Sequence, residues 1–224
     1  MQHLTLTEEN YLKAIYAIEQ NNTSGEVSVN EIAERMQTRP ATVTDMLRKL
    51  SEKELIHYEK YKKVQVTKTG ILLALQIIRK HRLWETFLHD KLNFSWDEVH
   101  EVAEQLEHIH SPKLIDRLDE YLGYPQYDPH GDPIPNSLGE VPTSSNLLLS
   151  ESDLLVPAIV VAVKDTSSPF LQQMERLGLQ IGTVLTVKER MPYDNSIQIQ
   201  VGEGADIMLS EKTALNIIIR PLDK

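Results

Sequence analysis

The chain has 224 residues, 41% of them hydrophobic and 25% charged, and a formal net charge of −10. This composition is typical of a globular protein with one large domain or two to three small ones. The chain has no cysteine, which excludes disulfides, thiolate zinc sites and cysteine nucleophiles. No apolar run approaches the roughly 18 residues that cross a bilayer, and the N-terminus lacks the basic and apolar regions of a signal peptide. We therefore expect a cytoplasmic protein with no membrane partner.

The charge is unevenly distributed along the chain. Residues 1–80 hold 12 basic and 10 acidic side chains, a net of +2, whereas residues 81–224 hold 11 and 23, a net of −12. Residues 39–82 hold 11 basic and 4 acidic side chains, a net of +7. A basic N-terminal segment on an acidic body indicates a nucleic-acid partner for that segment alone.

Residues 7–51 have the pattern of three helices. Apolar residues at helical spacing predict a first helix over 7–20. Ser28 and Glu31 form a capping box that opens a short second helix. Pro40 suits a first helical turn, so residues 40–51 are predicted to form the third helix after a tight turn. Two helices joined by such a turn form a helix-turn-helix motif.

Residues 55–67 alternate like a two-stranded hairpin with a basic tip, and a helix-turn-helix followed by such a hairpin indicates a winged helix. The exposed side of the third helix and the hairpin tip would then contact DNA bases or phosphates. Asp45 on this surface would accept a hydrogen bond from cytosine or weaken nonspecific DNA binding. A small α+β domain without a nucleic-acid role is the alternative. The candidate DNA contacts are Arg39, Pro40, Thr42, Thr44, Asp45, Arg48, Lys49, Lys60, Lys62 and Lys63.

The middle of the chain predicts three more helices, over 70–90 from Gly70, over 95–110 with a Ser95–Glu98 capping box, and over 112–122. On the second of these, four side chains would lie within an arc of about 100°. Carboxylates and imidazoles on one stripe repel each other unless they are solvated or neutralised by a cation. The stripe is therefore either a solvated acidic face or part of a metal site. Its members are His100, Glu104, Glu107 and His108, and His81 and Glu85 stand one turn apart on the preceding helix.

The C-terminal part begins with a proline-rich segment, 125–150, which we interpret as a linker that contains Asp128 and His130. From about residue 154 onward, runs rich in Val and Ile predict strands over 154–164, 183–189, 196–201 and 214–221. One helix between them would be capped by Ser168 and ended by Gly178. Several short strands in 70 residues indicate a small barrel or sandwich.

These segments together resemble the diphtheria-toxin-repressor family of metal-dependent transcriptional regulators, in particular its manganese-responsive branch. The strings that carry the resemblance are NYLKAIY (10–16), IAERM (32–36), RKHRLWETFL (79–88), EVHEVAEQLEH (98–108) and PHGDPIP (129–135). The resemblance implies a mostly α fold with β structure. Its parts would be a winged-helix DNA-binding domain (1–69), a helical metal-binding and dimerisation domain (70–124), the linker (125–150) and a FeoA-like small β-barrel (151–224).

The resemblance also implies a function. The protein would be a homodimer that binds a palindromic operator in double-stranded DNA and represses metal-uptake genes, with the metal as corepressor. It would not be an enzyme and would have no small-molecule substrate.

The resemblance places metal ligands at two neighbouring sites. Glu104, Glu107 and His108 match the ligands of the first site, to which the first helix of the family usually adds an Asp or a Met. This chain has Asn10 there, a neutral and weaker ligand. The neighbouring Glu9 is the alternative ligand, although it is expected to point elsewhere on the helix. The ligands implied for the second site are His81, Glu85, His100, Asp128, His130 and, from the C-terminal domain, Asp165.

The donor set indicates which metals to expect. Carboxylates and imidazoles without thiolates suit Mn²⁺ or Fe²⁺, and Zn²⁺ or Co²⁺ would also bind in vitro. We expect Mn²⁺, with Fe²⁺ as the alternative. A dimetal hydrolase is the alternative of another class, but the chain has no nucleophile motif, phosphate loop or HExxH string. A winged-helix regulator with a non-metal effector is the third reading.

Overall fold

The computed structural model describes residues 4–22, 27–59, 63–142 and 146–222. The chain divides into two compact units, and each is built from several segments of the sequence. The first unit contains residues 1–81, 104–115 and 135–141, and the second contains residues 82–103, 116–134 and 142–224.

The first unit begins with three helices and a hairpin. The helices are α1 (Leu6–Asn21), α2 (Val29–Arg35) and α3 (Pro40–Glu52), and the antiparallel strands are β1 (Ile56–His57) and β2 (Gln65–Val66). Ser28 and Glu31 form the predicted capping box, since the Ser28 amide donates to Glu31 at 2.7 Å and the Glu31 amide donates back to the Ser28 hydroxyl. The predicted helix-turn-helix with a hairpin is confirmed, although Lys60 and Lys62 at its tip lie outside the described residues.

Apolar side chains from all three helices form one core in this unit. Leu12 and Ile15 of α1, Ile32 of α2, and Val43 and Leu47 of α3 have no exposed surface. Helix α1 therefore packs directly against the predicted recognition helix α3.

The long helix α4 (Lys68–Leu92) begins two residues before the predicted start at Gly70. The Thr67 hydroxyl accepts from the Gly70 amide at 3.0 Å and so caps the helix. Gly70 has a different role, because a Cβ there would stand 2.1 Å from the Leu55 carbonyl oxygen. Among the helices of the described residues, none is both long enough and apolar enough to cross a bilayer.

Helix α5 (Val99–Leu106) is shorter than the predicted helix over 95–110 at both ends. Ser95 and Glu98 do bond to each other, but the residues between them form a turn rather than a first helical turn. Glu107 and His108 follow the helix in another turn, so the expected continuous stripe is interrupted there. Helix α6 (Pro112–Tyr121) follows as predicted.

The second unit contains a six-stranded antiparallel sheet with the order β3-β8-β4-β5-β6-β7. Register shifts in β4 and β5 mark bulges, which increase the local twist. The short strands β3 and β7 were not predicted. Helix α7 (Ser168–Arg176) starts one residue after its cap, which is Ser167 rather than Ser168, and helix α8 is Glu211–Ala214. The strands are β3 (Leu147–Leu148), β4 (Pro157–Val163), β5 (Val184–Arg190), β6 (Ile197–Val201), β7 (Asp206–Leu209) and β8 (Ile217–Pro221).

We call the six-stranded sheet with α7 and α8 (147–221) the C-terminal β module. The inward residues of its sheet and of α7 form its core. Val160, Val187 and Met174 are among its fully buried side chains. The mostly α fold with a C-terminal β module is confirmed.

Candidate metal centre and nucleic-acid interface

A cluster of acidic, basic and imidazole side chains lies in the first unit, and Glu107 is at its centre. Its side chain has no exposed surface. The Lys13 ammonium lies 2.7 Å from Glu107 Oε1 and 2.8 Å from Oε2, and His81 Nδ1 lies 2.6 Å from Oε2. Glu107 turns inward because it follows the last residue of α5 and no longer shares that helix's exposed face. We call Glu9, Lys13, Lys80, His81, Glu104, Glu107 and His108 the first cluster.

Glu9 is the second acidic centre of the first cluster. Its side chain is buried, and Oε2 lies 2.6 Å from His108 Nδ1. Lys80 Nζ and His110 Nδ1 each lie 3.8 Å from the other oxygen. Glu9 was expected to point elsewhere, which is wrong: the turn after α5 brings His108 to it across 99 positions of sequence.

Asn10 and Glu104 are the predicted ligands of the first site besides Glu107 and His108. Asn10 is half-buried, and its Oδ1 is inaccessible to water and has no hydrogen-bond partner among the described residues. Glu104 is half exposed and lies 3.5 Å from Lys13 Nζ. In the described part of the chain, Glu104, Glu107 and His108 do not form a set whose ligand atoms all lie within 4.8 Å of one another.

The charges of the first cluster are largely balanced. Burial tends to raise the pKa of Glu107, but the hydrogen bond from His81 and the charge of Lys13 outweigh it, so this pKa lies below its ordinary value. Burial lowers the pKa of Lys80 more than the carboxylates of Glu9 and Glu107 raise it. The cluster therefore has internal cations beside its two buried carboxylates.

A second cluster, Glu85, Asp128 and His130, lies in the second unit. All three side chains are buried, and one potential ligand atom from each lies within 4.8 Å of the others. His130 Nδ1 is 3.8 Å from Glu85 Oε1, and His100 Nδ1 is 3.0 Å from the same oxygen. Two carboxylates and an imidazole at this separation are a donor set suited to Mn²⁺ or Fe²⁺.

The segment that supplies Asp128 and His130 is a packed turn rather than an open linker. Asp128 Oδ1 accepts from the amides of His130 and Asp132 at 2.8 and 3.0 Å. Trp96 stacks on the His130 ring with centroids 5.9 Å apart, and the His130 carbonyl accepts from the Val163 amide of β4. Gly131, at φ +83°, is required here because a Cβ would meet the Val161 carbonyl at 1.8 Å. Strand β4 thereby holds the backbone at His130, and Trp96 packs against its ring.

The second cluster is short of positive charge. Burial, together with the neighbouring carboxylates of Asp132 and Glu85, raises the pKa of Asp128 to about 8. Arg82 is a distant partner, with Nε 3.6 Å from Asp128 Oδ2, and that oxygen is buried without a hydrogen bond among the described residues. Burial lowers the pKa of His130, but Glu85 and Asp128 outweigh it and raise it above its ordinary value. A buried carboxylate oxygen without a hydrogen bond, close to a second carboxylate and an imidazole, fits a divalent cation.

Two of the remaining implied ligands, His81 and Asp165, make contacts that the sequence did not indicate. The grouping of His81 with the second site stays a prediction, and in the first unit His81 Nδ1 lies 2.6 Å from Glu107 Oε2. Asp165 Oδ1 accepts from the Ser167 amide before α7, and among the described residues Asp165 belongs to no set of three potential ligands. Lys13 was missed, because its partner Glu107 lies 94 positions away and no local pattern indicates the contact.

The predicted DNA-contacting surface lies on α3 and on the turn before it. Thr44 differs from the expectation, since it is half-buried and its hydroxyl donates to the Pro40 carbonyl at 3.0 Å. Asp45 lies 3.4 Å from Arg48, and its negative charge partly offsets the positive charge of Arg48 at this surface. The exposed residues of this surface are Arg39, Pro40, Thr42, Asp45, Arg48 and Lys49, with Lys63 on the hairpin.

Three family models match the chain in succession. Residues 3–64 match the N-terminal DNA-binding domain of iron-dependent repressors, and residues 67–136 match their metal-binding and dimerisation domain. Residues 147–221 match the FeoA domain.

Individual proteins resemble the chain over most of its length. The diphtheria toxin repressor of Corynebacterium efficiens is 34% identical over 210 residues, which are 93% of this chain and 85% of that protein. The iron-dependent repressor IdeR of Mycobacterium leprae is 33% identical over 147 residues, 65% of this chain and 63% of IdeR. A solved manganese-dependent transcriptional repressor in complex with manganese is 34% identical, covers 96% of this chain and all of its own, and has a TM-score of 0.86.

Proposed function

Because the chain belongs to the family of iron-dependent repressors, whose members are transcriptional repressors and not enzymes, we propose that it is a Mn²⁺-dependent repressor of metal-uptake genes. It would act in the cytoplasm as a homodimer on a palindromic operator, with one recognition helix in each half-site. The cysteine-free donor set supports Mn²⁺, and Fe²⁺ is the alternative outcome of the tests below.

The observation that carries this proposal is that α1 contacts both the first cluster and the core around α3. Near its start the helix presents Glu9 to His108, with Asn10 beside it. Leu12, three residues after Glu9, and Ile15 are buried in the core that holds α3. A change in how α1 is held in the first cluster would therefore reach the recognition helix through this shared core.

The two clusters would hold one divalent ion each. Glu107, His108, Glu104 and Asn10 would hold it in the first cluster, and Glu85, Asp128 and His130 in the second. The ion would supply positive charge that relieves the repulsion between carboxylates from distant segments. Glu9, His108 and Glu107 would then keep α1 in a fixed position, so that less disorder is lost when DNA binds. Metal and DNA would bind cooperatively for this reason.

The proposal is tested by measuring the affinity for a labelled fragment of the gene's own promoter region in Mn²⁺ and in EDTA. We expect Mn²⁺ to tighten binding by about 10- to 100-fold, which is the usual range of such coupling. Glu104→Ala combined with His108→Ala should abolish this gain, whereas Glu101→Ala, exposed on the same helix, should keep it.

Equal affinity in Mn²⁺ and EDTA would contradict the proposal. If anaerobic Fe²⁺ tightens DNA binding and Mn²⁺ does not, the protein is an Fe²⁺-dependent repressor with the same mechanism. Circular dichroism of the double variant separates loss of the site from loss of the fold.

A further inference from the structure

Lys13 is the side chain that holds Glu107 in the first cluster. Its ammonium lies within 2.8 Å of both carboxylate oxygens and 3.5 Å from Glu104. Each of these carboxylates is a predicted metal ligand. Lys13 therefore lies where a divalent ion would have to meet the same oxygens.

The charges around Lys13 add to this competition. Three carboxylates, those of Glu9, Glu104 and Glu107, face two ammonium groups, Lys13 and Lys80. Asn10 on the same helix adds a neutral amide where a carboxylate would add charge. These five charged side chains together carry a net charge of only −1, so a divalent ion would enter against two cations already in place.

We propose that Lys13 is an internal counter-ion that competes with the divalent ion for Glu107, and that it thereby raises the metal concentration at which the repressor responds. This inference rests on the proposed function. Lys13 stabilises the metal-free state by compensating a buried carboxylate, and it must leave Glu107 before that carboxylate can bind a metal.

The side chain of Lys13 is suited to leaving. It is 20% exposed, whereas Glu107 has no exposed surface. A lysine ammonium is a strongly hydrated point charge on a flexible stem, so it can turn into water. Glu107, enclosed beside His81, stays in place.

The test compares Lys13→Met and Lys13→Arg with wild type by isothermal titration of the metal-free protein with Mn²⁺, alongside thermal unfolding in EDTA. Lys13→Met should bind the first-cluster ion at least about 10-fold more tightly, equivalent to about 1.4 kcal/mol, and should unfold at a lower temperature without metal. Lys13→Arg keeps the charge and should bind close to wild type. Should Lys13→Met not fold, Lys13→Gln is used in its place.

Lys53→Met is the matched control. Lys53 also pairs with a buried carboxylate of α1, with Nζ 2.7 Å from Glu8 Oε1, and Glu8 is not a predicted metal ligand. Its loss should lower stability without changing Mn²⁺ affinity.

Two outcomes would overturn the inference. Unchanged Mn²⁺ affinity in Lys13→Met would show that Lys13 does not compete, and weaker affinity would show that it supports Glu107 as a ligand. Either result requires that wild type binds Mn²⁺. If wild type binds none, the proposed function fails together with the inference.

Discussion

The two acidic clusters contain similar donors but differ in how their charge is compensated. In the first, Lys13 and His81 contact Glu107 directly and keep its pKa below the ordinary value although the side chain is buried. In the second, burial and the neighbouring carboxylates outweigh the more distant Arg82, 3.6 Å from Asp128 Oδ2, and the pKa of Asp128 rises to about 8. Burial of a carboxylate therefore does not by itself indicate that the site needs a metal. The deciding quantity is the positive charge already in contact with it.

This difference predicts opposite responses to the removal of one carboxylate charge in the metal-free protein. In the first cluster, the loss of the Glu107 charge leaves the Lys13 cation beside a buried amide. In the second, the loss of the Asp128 charge removes its repulsion with the neighbouring carboxylates. The glutamine and asparagine substitutions below change shape little and so isolate this effect.

The larger effect is expected for Glu107→Gln. Lys13 and His81 would lose their acceptor in a buried setting, which should lower the free energy of unfolding in EDTA by about 2–3 kcal/mol, since Lys13 is partly exposed. Urea unfolding of the metal-free variant measures this. In wild type, the contribution of Glu107 is present above its unfolded pKa of about 4.5 and is lost as the pH falls through its lower folded value. A Glu107→Gln variant as stable as wild type would show that the charge of Glu107 is not compensated by Lys13 and His81.

The smaller effect, of opposite sign, is expected for Asp128→Asn. The amide oxygen can still accept from the His130 and Asp132 amides, so the turn is kept. Removing the uncompensated carboxyl should stabilise the metal-free protein by about 1 kcal/mol at pH 7. The matching readout is the pH dependence of urea unfolding in EDTA.

The sign of that pH dependence follows from the raised pKa of Asp128. In wild type the folded protein retains a proton on this carboxyl that the unfolded chain releases, so stability falls as the pH rises from about 4 to about 8. Asp128→Asn should remove this decline. A decline of the same size in the variant would assign it to other groups.

Much of the fold was predictable because its signals are local. The Ser28–Glu31 capping box and Pro40 determine where α2 and α3 begin, and each acts within one helical turn. The β-branched runs of β4 and β6 likewise indicate strands from their own composition. Strand β7, with the sequence DIML, has no such run, and its register comes from pairing with β6.

The candidate site was only partly predictable because its contacts are long-range. Spacing places His100, Glu104 and His108 on one helical stripe, but α5 ends at Leu106, and Glu107 and His108 then turn toward α1. No pattern near residue 13 indicates that Lys13 will meet Glu107. The ligand identities implied by the resemblance remain predictions. The structure adds two cations beside those ligands, Lys13 and Lys80.

The number of Mn²⁺ ions bound per chain shows whether each cluster holds one ion. Electron paramagnetic resonance of free Mn²⁺ during a titration of metal-free protein measures this number and the affinity of each site. We expect two ions in wild type and one in Asp128→Asn, with the first-cluster affinity unchanged. No bound Mn²⁺ in wild type, or two ions still bound by Asp128→Asn, would contradict this expectation.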